Sequence, residues 1–236
     1  MAIVLVVDDD ANFRQLASLT LNAAGHTVLE AARCSAAVAV LRNHKPDLLV
    51  VDGLLPDGDG AAWVKNQRAG GMTIPVLYVS AFRRPDVEQQ ELLREAGIEA
   101  SLVKPATAPE LLTKVERVLH NHGIERVEEV WLGEAELQAL EQMRAQYASD
   151  LPGVIAALQT SVRQLAASPA STALQGVARR RAHQLAGTAG SFGFGPVGDA
   201  CAKLEQAIVA LQAGGPFAPV EAALEDLVFA DFPELA

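Results

Sequence analysis

Ile3-Val4-Leu5-Val6-Val7-Asp8-Asp9-Asp10 is the stretch whose reading decides the fold. Five apolar, mostly β-branched residues in a row describe a strand buried on both faces, as in a parallel sheet, and three carboxylates follow it without a spacer. Working outward, further strand-like runs occur at Thr27–Glu30, Leu48–Val51, Pro75–Val79 and Ala100–Val103. Segments with helical apolar spacing lie between them: Phe13, Leu16, Leu19 and Thr20; Ala37, Val40 and Leu41; Ala61 to Gln67; Val87 to Ala96; and Leu111, Leu112, Val115 and Leu119. This alternation predicts an α/β, doubly wound, five-stranded parallel sheet over residues 1–122. The second and fifth strands are the least apolar and are expected at the periphery, and Gly25 and Gly97 are expected at helix C-termini.

Beyond His122 the strand signal stops. Ser, Pro and Gly punctuation divides the rest into helices near Glu134–Gln142, Arg144–Ala166, Ser171–Ala189, Pro196–Gln212 and Pro219–Val228. The expected arrangement is an all-α four-helix bundle with a short leading helix over residues 133–236, joined by a linker at 123–132. That linker carries Ile124, Val127, Val130 and Trp131, too apolar for a freely flexible connection. Ser171 is placed as a helix cap, and Pro196 and Pro219 suit first turns.

Composition narrows the function. Residues 1–122 hold 15 acids and 12 bases and residues 123–236 hold 14 acids and 7 bases, for a net charge of −10, which excludes a general attraction to nucleic acid. No apolar run approaches a membrane span and no signal segment opens the chain, so a cytoplasmic protein without membrane insertion is expected. Only Cys34 and Cys201 are present, without metal-binding spacing, and both are expected to be small core residues.

In a parallel sheet the reacting side chains gather at the carboxyl ends of the strands. The first strand ends in Asp8, Asp9 and Asp10, the third in Asp52, the fourth in Ser80, and the fifth in Lys104 followed by Pro105. Carboxylates crowded from neighbouring strands call for a divalent cation, and an all-oxygen set favours Mg²⁺. Hydroxyl, ammonium and metal together suit the equatorial oxygens of a transferred phosphoryl group. Singly, Asp10 reads as a helix cap and Lys104 as a surface charge; it is their joint order that carries the functional reading.

The segments Val6-Val7-Asp8-Asp9, Asp52-Gly53-Leu54-Leu55-Pro56-Asp57-Gly58-Asp59-Gly60, Val79-Ser80-Ala81 and Lys104-Pro105 resemble the response-regulator receiver family, whose fold is flavodoxin-like. The resemblance implies that Asp52 accepts the phosphoryl group. It further implies that Asp8, Asp9, Asp52 and the Leu54 carbonyl hold Mg²⁺, and that Ser80 and Lys104 contact phosphoryl oxygens. A calcium loop at Asp57-Gly58-Asp59-Gly60 lacks its closing acid. The aromatic usual three residues before the lysine is Ser101 here, and Ala106 stands where a Phe is frequent, so little rearrangement of the fourth-helix face is expected. Leu54 and Phe82 flank the phosphoryl position without offering a hydrogen bond, which implies slow self-dephosphorylation.

In the helical half, Arg181-Ala182-His183-Gln184-Leu185-Ala186-Gly187-Thr188-Ala189-Gly190-Ser191-Phe192-Gly193 is the informative segment. Facing Ala182, Leu185 and Ala189 toward the core turns His183 outward, beside Gly187 one turn later, where an exposed imidazole can attack a phosphoryl group on another protein. Arg179 and Arg180, one turn earlier, are expected either to meet an acidic partner or to form a plain solvated face. Ala182 to Gly187, Gly193 and the run Ala200-Cys201-Ala202-Lys203-Leu204-Glu205 resemble the histidine-phosphotransfer (HPt) family, which implies that His183 is a phosphohistidine site. Ala186 replaces a frequent basic residue there. Gly193-Phe194-Gly195-Pro196-Val197-Gly198 matches a dinucleotide-loop pattern but follows a helix, and reads as an interhelix turn.

The expected function is a two-component phosphorelay intermediate that carries phosphoryl groups on Asp52 and His183 and lacks any ATP-binding segment of its own. A sensor histidine kinase would be its phosphodonor, and separate receiver or HPt proteins its other partners. The alternatives are a phosphorylation-controlled interaction module in which His183 is not used, and the regulatory front of a longer output enzyme.

Overall fold

The computed structural model describes residues 1–81, 87–124 and 133–229, and the chain divides into two compact units, Met1–Glu141 and Gln142–Ala236. In the first, five parallel strands, β1 (Ile3–Val7), β2 (Thr27–Ala31), β3 (Leu48–Asp52), β6 (Val76–Ser80) and β7 (Ala100–Val103), stand in the order β2-β1-β3-β6-β7. The weaker strands β2 and β7 occupy the edges, where one side of the ladder needs no apolar cover. A two-residue ribbon, β4 (Leu54–Leu55) with β5 (Gly58–Asp59), follows β3.

Strand alternation feeds two cores. Val4, Val6, Leu48, Val50, Leu77 and Val79 pack on one face against Phe13, Ala17 and Leu21 of α1 (Ala11–Ala23) and Leu111, Val115 and Leu119 of α5 (Ala108–Asn121). Leu5, Val7, Leu49, Val51 and Val76 face the other way, onto Ala37 of α2 (Cys34–Asn43) and Trp63 and Val64 of α3 (Gly60–Ala69). With α4 (Val87–Glu95) the helices cover both faces, which is the doubly wound arrangement. Gly25 and Gly97 take the left-handed conformation, at φ 80° and 62°, after α1 and α4.

The second half is helical: α6 (Glu134–Ala167), α7 (Thr172–Thr188), a 3₁₀ turn at Ala189–Phe192, α8 (Gly195–Gln212) and α9 (Ala218–Phe229). The separate leading helix expected from sequence does not exist. The segments predicted at Glu134–Gln142 and Arg144–Ala166 are one helix, because no glycine, proline or capping residue stands between them to end the first. Pro152 lies inside α6 and removes one backbone donor without ending the helix. Ser171 caps α7 by accepting from the Leu174 N–H, and Pro196 sits in the first turn of α8. The glycine-rich segment is an interhelix turn, with Gly193 left-handed at φ 92°. Tyr147 of α6 stacks on Phe192 at 4.6 Å. Both cysteines are buried and free, with thiols pushed up to about 12, Cys201 by burial and Cys34 by burial and the nearby Asp57 charge. No helix among the described residues is long and apolar enough to cross a membrane.

Candidate functional site

Parallel strands end together, so the residues after β1, β3, β6 and β7 meet at one edge of the sheet. Asp8, Asp52 and Lys104 are all buried there. The Lys104 ammonium donates to Asp8 Oδ2 at 2.6 Å and to Asp52 Oδ1 at 2.7 Å, and lies 4.4 Å above the centre of the Phe13 ring. Burial alone would lower the lysine pKa, but the Asp52 and Asp8 charges outweigh it and hold the ammonium more firmly protonated than usual. Burial, opposed by Lys104 and reinforced by Asp52, pushes the Asp8 carboxyl up to about 7.

One ammonium therefore faces more carboxylate than it can neutralise. Asp8, Asp9 and Asp52 each direct an oxygen into a space where these atoms lie within 4.8 Å of one another. Buried acids in excess over their cation, with oxygen donors alone, fit a hard divalent metal. Asp10 makes no part of that set. It caps α1 by accepting from the Asn12 N–H at 2.8 Å, while its own N–H donates to Asp8 Oδ1. The loop after Asp52 is drawn in tightly: the Leu54 N–H donates to Asp52 Oδ2 at 2.9 Å, and a side chain at Gly60 would collide with the Asp52 carbonyl. Asp57 accepts from the Cys34 and Ser35 N–H groups at the start of α2, and Asp59 caps α3, so the acids of the candidate calcium loop are helix caps. Ser80 is buried beside Gly53, its Oγ 3.5 Å from where a Gly53 side chain would begin. Ser101 is exposed on the edge strand, Ala106 is buried, and Leu54 is half-buried. Phe82 and Trp131, singled out from sequence, lie outside the described residues.

The sequence expectation of an outward-facing His183 is wrong: its relative exposure is 3%. The periodicity argument allowed α7 one buried face, but the helix has neighbours on two sides. Arg181 donates to the Ala157 carbonyl and the Ser161 hydroxyl of α6, while the backbone of α7 comes close to Gly198 of α8, whose missing side chain would sit 3.4 Å from the Ala186 carbonyl. His183 Nδ1 faces α8 and meets Glu205 Oε1 at 2.9 Å, with Glu205 equally buried. A carboxylate only accepts, so this contact requires a proton on Nδ1, and in the neutral ring the lone pair then lies on Nε2. Arg179 approaches the same carboxylate oxygen at 3.8 Å and donates to Gln212. It belongs to the histidine's surroundings and not to a plain solvated face.

Sequence reasoning quoted Glu205 without assigning it a role. Its signal was present: it is an acid on the apolar stripe of α8, four residues from Cys201 and one from Leu204. A second buried pair, His26 Nε2 with Glu116 Oε1 at 3.0 Å, was not anticipated at all.

A doubly wound sheet with this acid and lysine cluster, followed by helices that bury a histidine against a glutamate, makes a chain of one α/β part and one all-helical part. The family models agree: the response regulator receiver domain matches residues 4–116, and the Hpt domain matches residues 134–230. The chain thus carries a receiver domain followed by an Hpt domain. Similar proteins include the phosphate regulon transcriptional regulatory protein PhoB of Pseudomonas aeruginosa, 32% identical over 122 residues, covering 51% of this chain and 52% of that protein. The transcriptional regulatory protein PhoP of Escherichia coli is 30% identical over 120 residues, covering 51% and 53%. The chain spans about half the length of these relatives. Among solved structures, the chemotaxis response regulator CheY4 of Vibrio cholerae is 33% identical, covering 50% of this chain and 99% of that chain with a TM-score of 0.47.

Proposed function

We propose that this protein is an intermediate of a two-component phosphorelay, with residues 1–122 as receiver, 123–132 as linker and 133–236 as the HPt domain. The observation that supports the reading is that one chain holds a buried carboxylate gripped by Lys104 and an imidazole held by Glu205. An Asp52 oxygen attacks the phosphorus of a donor, forming an acyl phosphate as the donor's own bond to phosphorus breaks. Lys104, already at 2.7 Å from Asp52 Oδ1, is in reach of the incoming oxygens, and the Ser80 hydroxyl offers a further donor. Mg²⁺ held by Asp8, Asp9, Asp52 and the Leu54 carbonyl would supply charge neutralisation for the phosphoryl oxygens. At the second site Glu205 keeps the proton on Nδ1, leaving Nε2 of His183 as nucleophile. The chain acts as a phosphoryl carrier in the cytoplasm, served by a sensor histidine kinase and exchanging with separate receiver or HPt proteins.

The burial of His183 favours a second reading, in which phosphorylated Asp52 alters what the helical half binds and His183 takes no phosphoryl group. Labelling separates the two. With Mg²⁺ and a small acyl-phosphate donor, wild type is expected to gain a phosphoryl group that Asp52→Asn cannot. With a separately phosphorylated receiver, wild type is expected to gain an acid-labile, base-stable group that His183→Gln cannot. Equal labelling of Asp52→Asn and wild type removes the first site. A wild type that takes nothing at His183 establishes the second reading.

A further inference from the structure

Tyr78 has no part in the proposed chemistry, yet its hydroxyl lies over Gly53, the residue after Asp52. It is 4% exposed and stands two residues before Ser80 on β6, so the two side chains share a face of the strand. Its hydroxyl occupies the space a side chain at Gly53 would take, with the ring Cζ 2.9 Å and Ser80 Oγ 3.5 Å from that same point. Gly53 is the residue after Asp52, and its N–H donates to the Val79 carbonyl at 2.9 Å, which pins the backbone beside β6. The register partner of Tyr78 on β7 is the small residue Ser101. The absent side chain at 53 thus admits the phenol, and the Tyr78 and Ser80 hydroxyls both border the space over Gly53.

A serine hydroxyl rotates freely among staggered positions unless a neighbour selects one. A buried phenol is a rigid neighbour that both donates and accepts, and it ends a ring fixed in the core of the sheet. We infer that Tyr78 is a positioning residue of the phosphoryl site, its hydroxyl holding that of Ser80 in the orientation that serves a phosphoryl group on Asp52. This inference rests on the receiver reading given above.

The test uses the full chain with Mg²⁺ and acetyl phosphate as donor. Tyr78→Phe keeps the ring and removes only the oxygen. It is expected to slow phosphorylation of Asp52 by roughly fivefold, the worth of one ordinary hydrogen bond. Its affinity for Mg²⁺ alone, measured by calorimetry, is expected to stay at the wild-type value, since the ring and the acid cluster are untouched. In a Ser80→Ala background the same change is expected to cost less than about twofold, because the group it acts through is gone. Tyr78→Phe running at the wild-type rate overturns the role, as does an undiminished penalty in the Ser80→Ala background or a parallel loss of Mg²⁺ affinity. A wild type that takes no phosphoryl group on Asp52 defeats the receiver reading itself and the inference with it. A labelled wild type matched by Tyr78→Phe defeats the inference alone.

Discussion

Each half of the chain buries one histidine against one glutamate at nearly the same distance, through different ring nitrogens: His26 Nε2 with Glu116 Oε1 at 3.0 Å and His183 Nδ1 with Glu205 Oε1 at 2.9 Å. Their settings differ. His26 lies just before β2, at the amino edge of the sheet and opposite the acid cluster, and it ties the turn after α1 to α5. His183 stands on α7 within the segment that the Hpt family model covers. The contrast teaches that burial and a carboxylate partner do not by themselves mark a reacting histidine. A buried histidine–glutamate contact between separate elements is as readily a tether as a catalytic device, and it is the ring nitrogen engaged and the surrounding sequence that separate the two.

The largest expected effect breaks the symmetry outright. His183→Gln should abolish acid-labile, base-stable labelling by a phosphorylated receiver, and His26→Gln should leave it intact. If the two substitutions act alike on labelling, the distinction between a tether and an acceptor fails. The next effect is on stability. Glu116→Ala leaves the buried His26 ring without its hydrogen-bond partner, and denaturant unfolding of the first unit should register a loss of about 1–3 kcal/mol. Labelling of Asp52 should continue under conditions where that variant remains folded, because the pair lies at the opposite edge of the sheet from the acceptor.

A smaller effect tests what Glu205 does for His183. Glu205→Gln retains an oxygen that can accept from Nδ1 but loses the charge, and single-turnover transfer to His183 should slow on the order of tenfold, equivalent to about 1.4 kcal/mol. The corresponding Glu116→Gln should not change transfer. The smallest effect supplies the baseline of an acid that only caps a helix. Some desolvation would raise the pKa of the exposed Asp57, but the Ser35 and Cys34 N–H groups hold its carboxyl below the ordinary value of 3.8. A carboxylate with a depressed folded pKa stabilises above its unfolded pKa and loses that contribution as pH falls through the folded value. The melting-temperature gap between wild type and Asp57→Asn should therefore be full at pH 6 and close progressively as pH drops below about 3.8. A constant gap would mean that Asp57 acts through something other than its charge.

The acid cluster was legible because it depends on local information and one rule of topology. Unbroken apolar runs at Ile3–Val7 and Leu48–Val51 locate the strand ends, and a parallel sheet brings its carboxyl ends to one edge. The split reading of α6 failed for a local reason too, since an apolar pattern was broken where nothing ends a helix. His183 failed differently. Helical periodicity reports which residues share a face, but not how many neighbours the helix has, and a helix enclosed from both α6 and α8 leaves its histidine no outward side.

The sequence by itself thus determined the two-part organisation, the five strands and their edges, the cap at Ser171, and the gathering of Asp8, Asp9, Asp52, Ser80 and Lys104 at one end of the sheet. Only the tertiary structure decided that Lys104 is shared between Asp8 and Asp52, that Glu205 and not solvent meets His183, that His26 finds Glu116, and that Tyr78 fills the space over Gly53. These partners lie 96, 22 and 90 residues apart for the first three pairings, and their meeting depends on the approach and rotation of packed elements. Periodicity and capping act within a few residues along the chain, whereas such contacts are set by which side chains fill the space between segments.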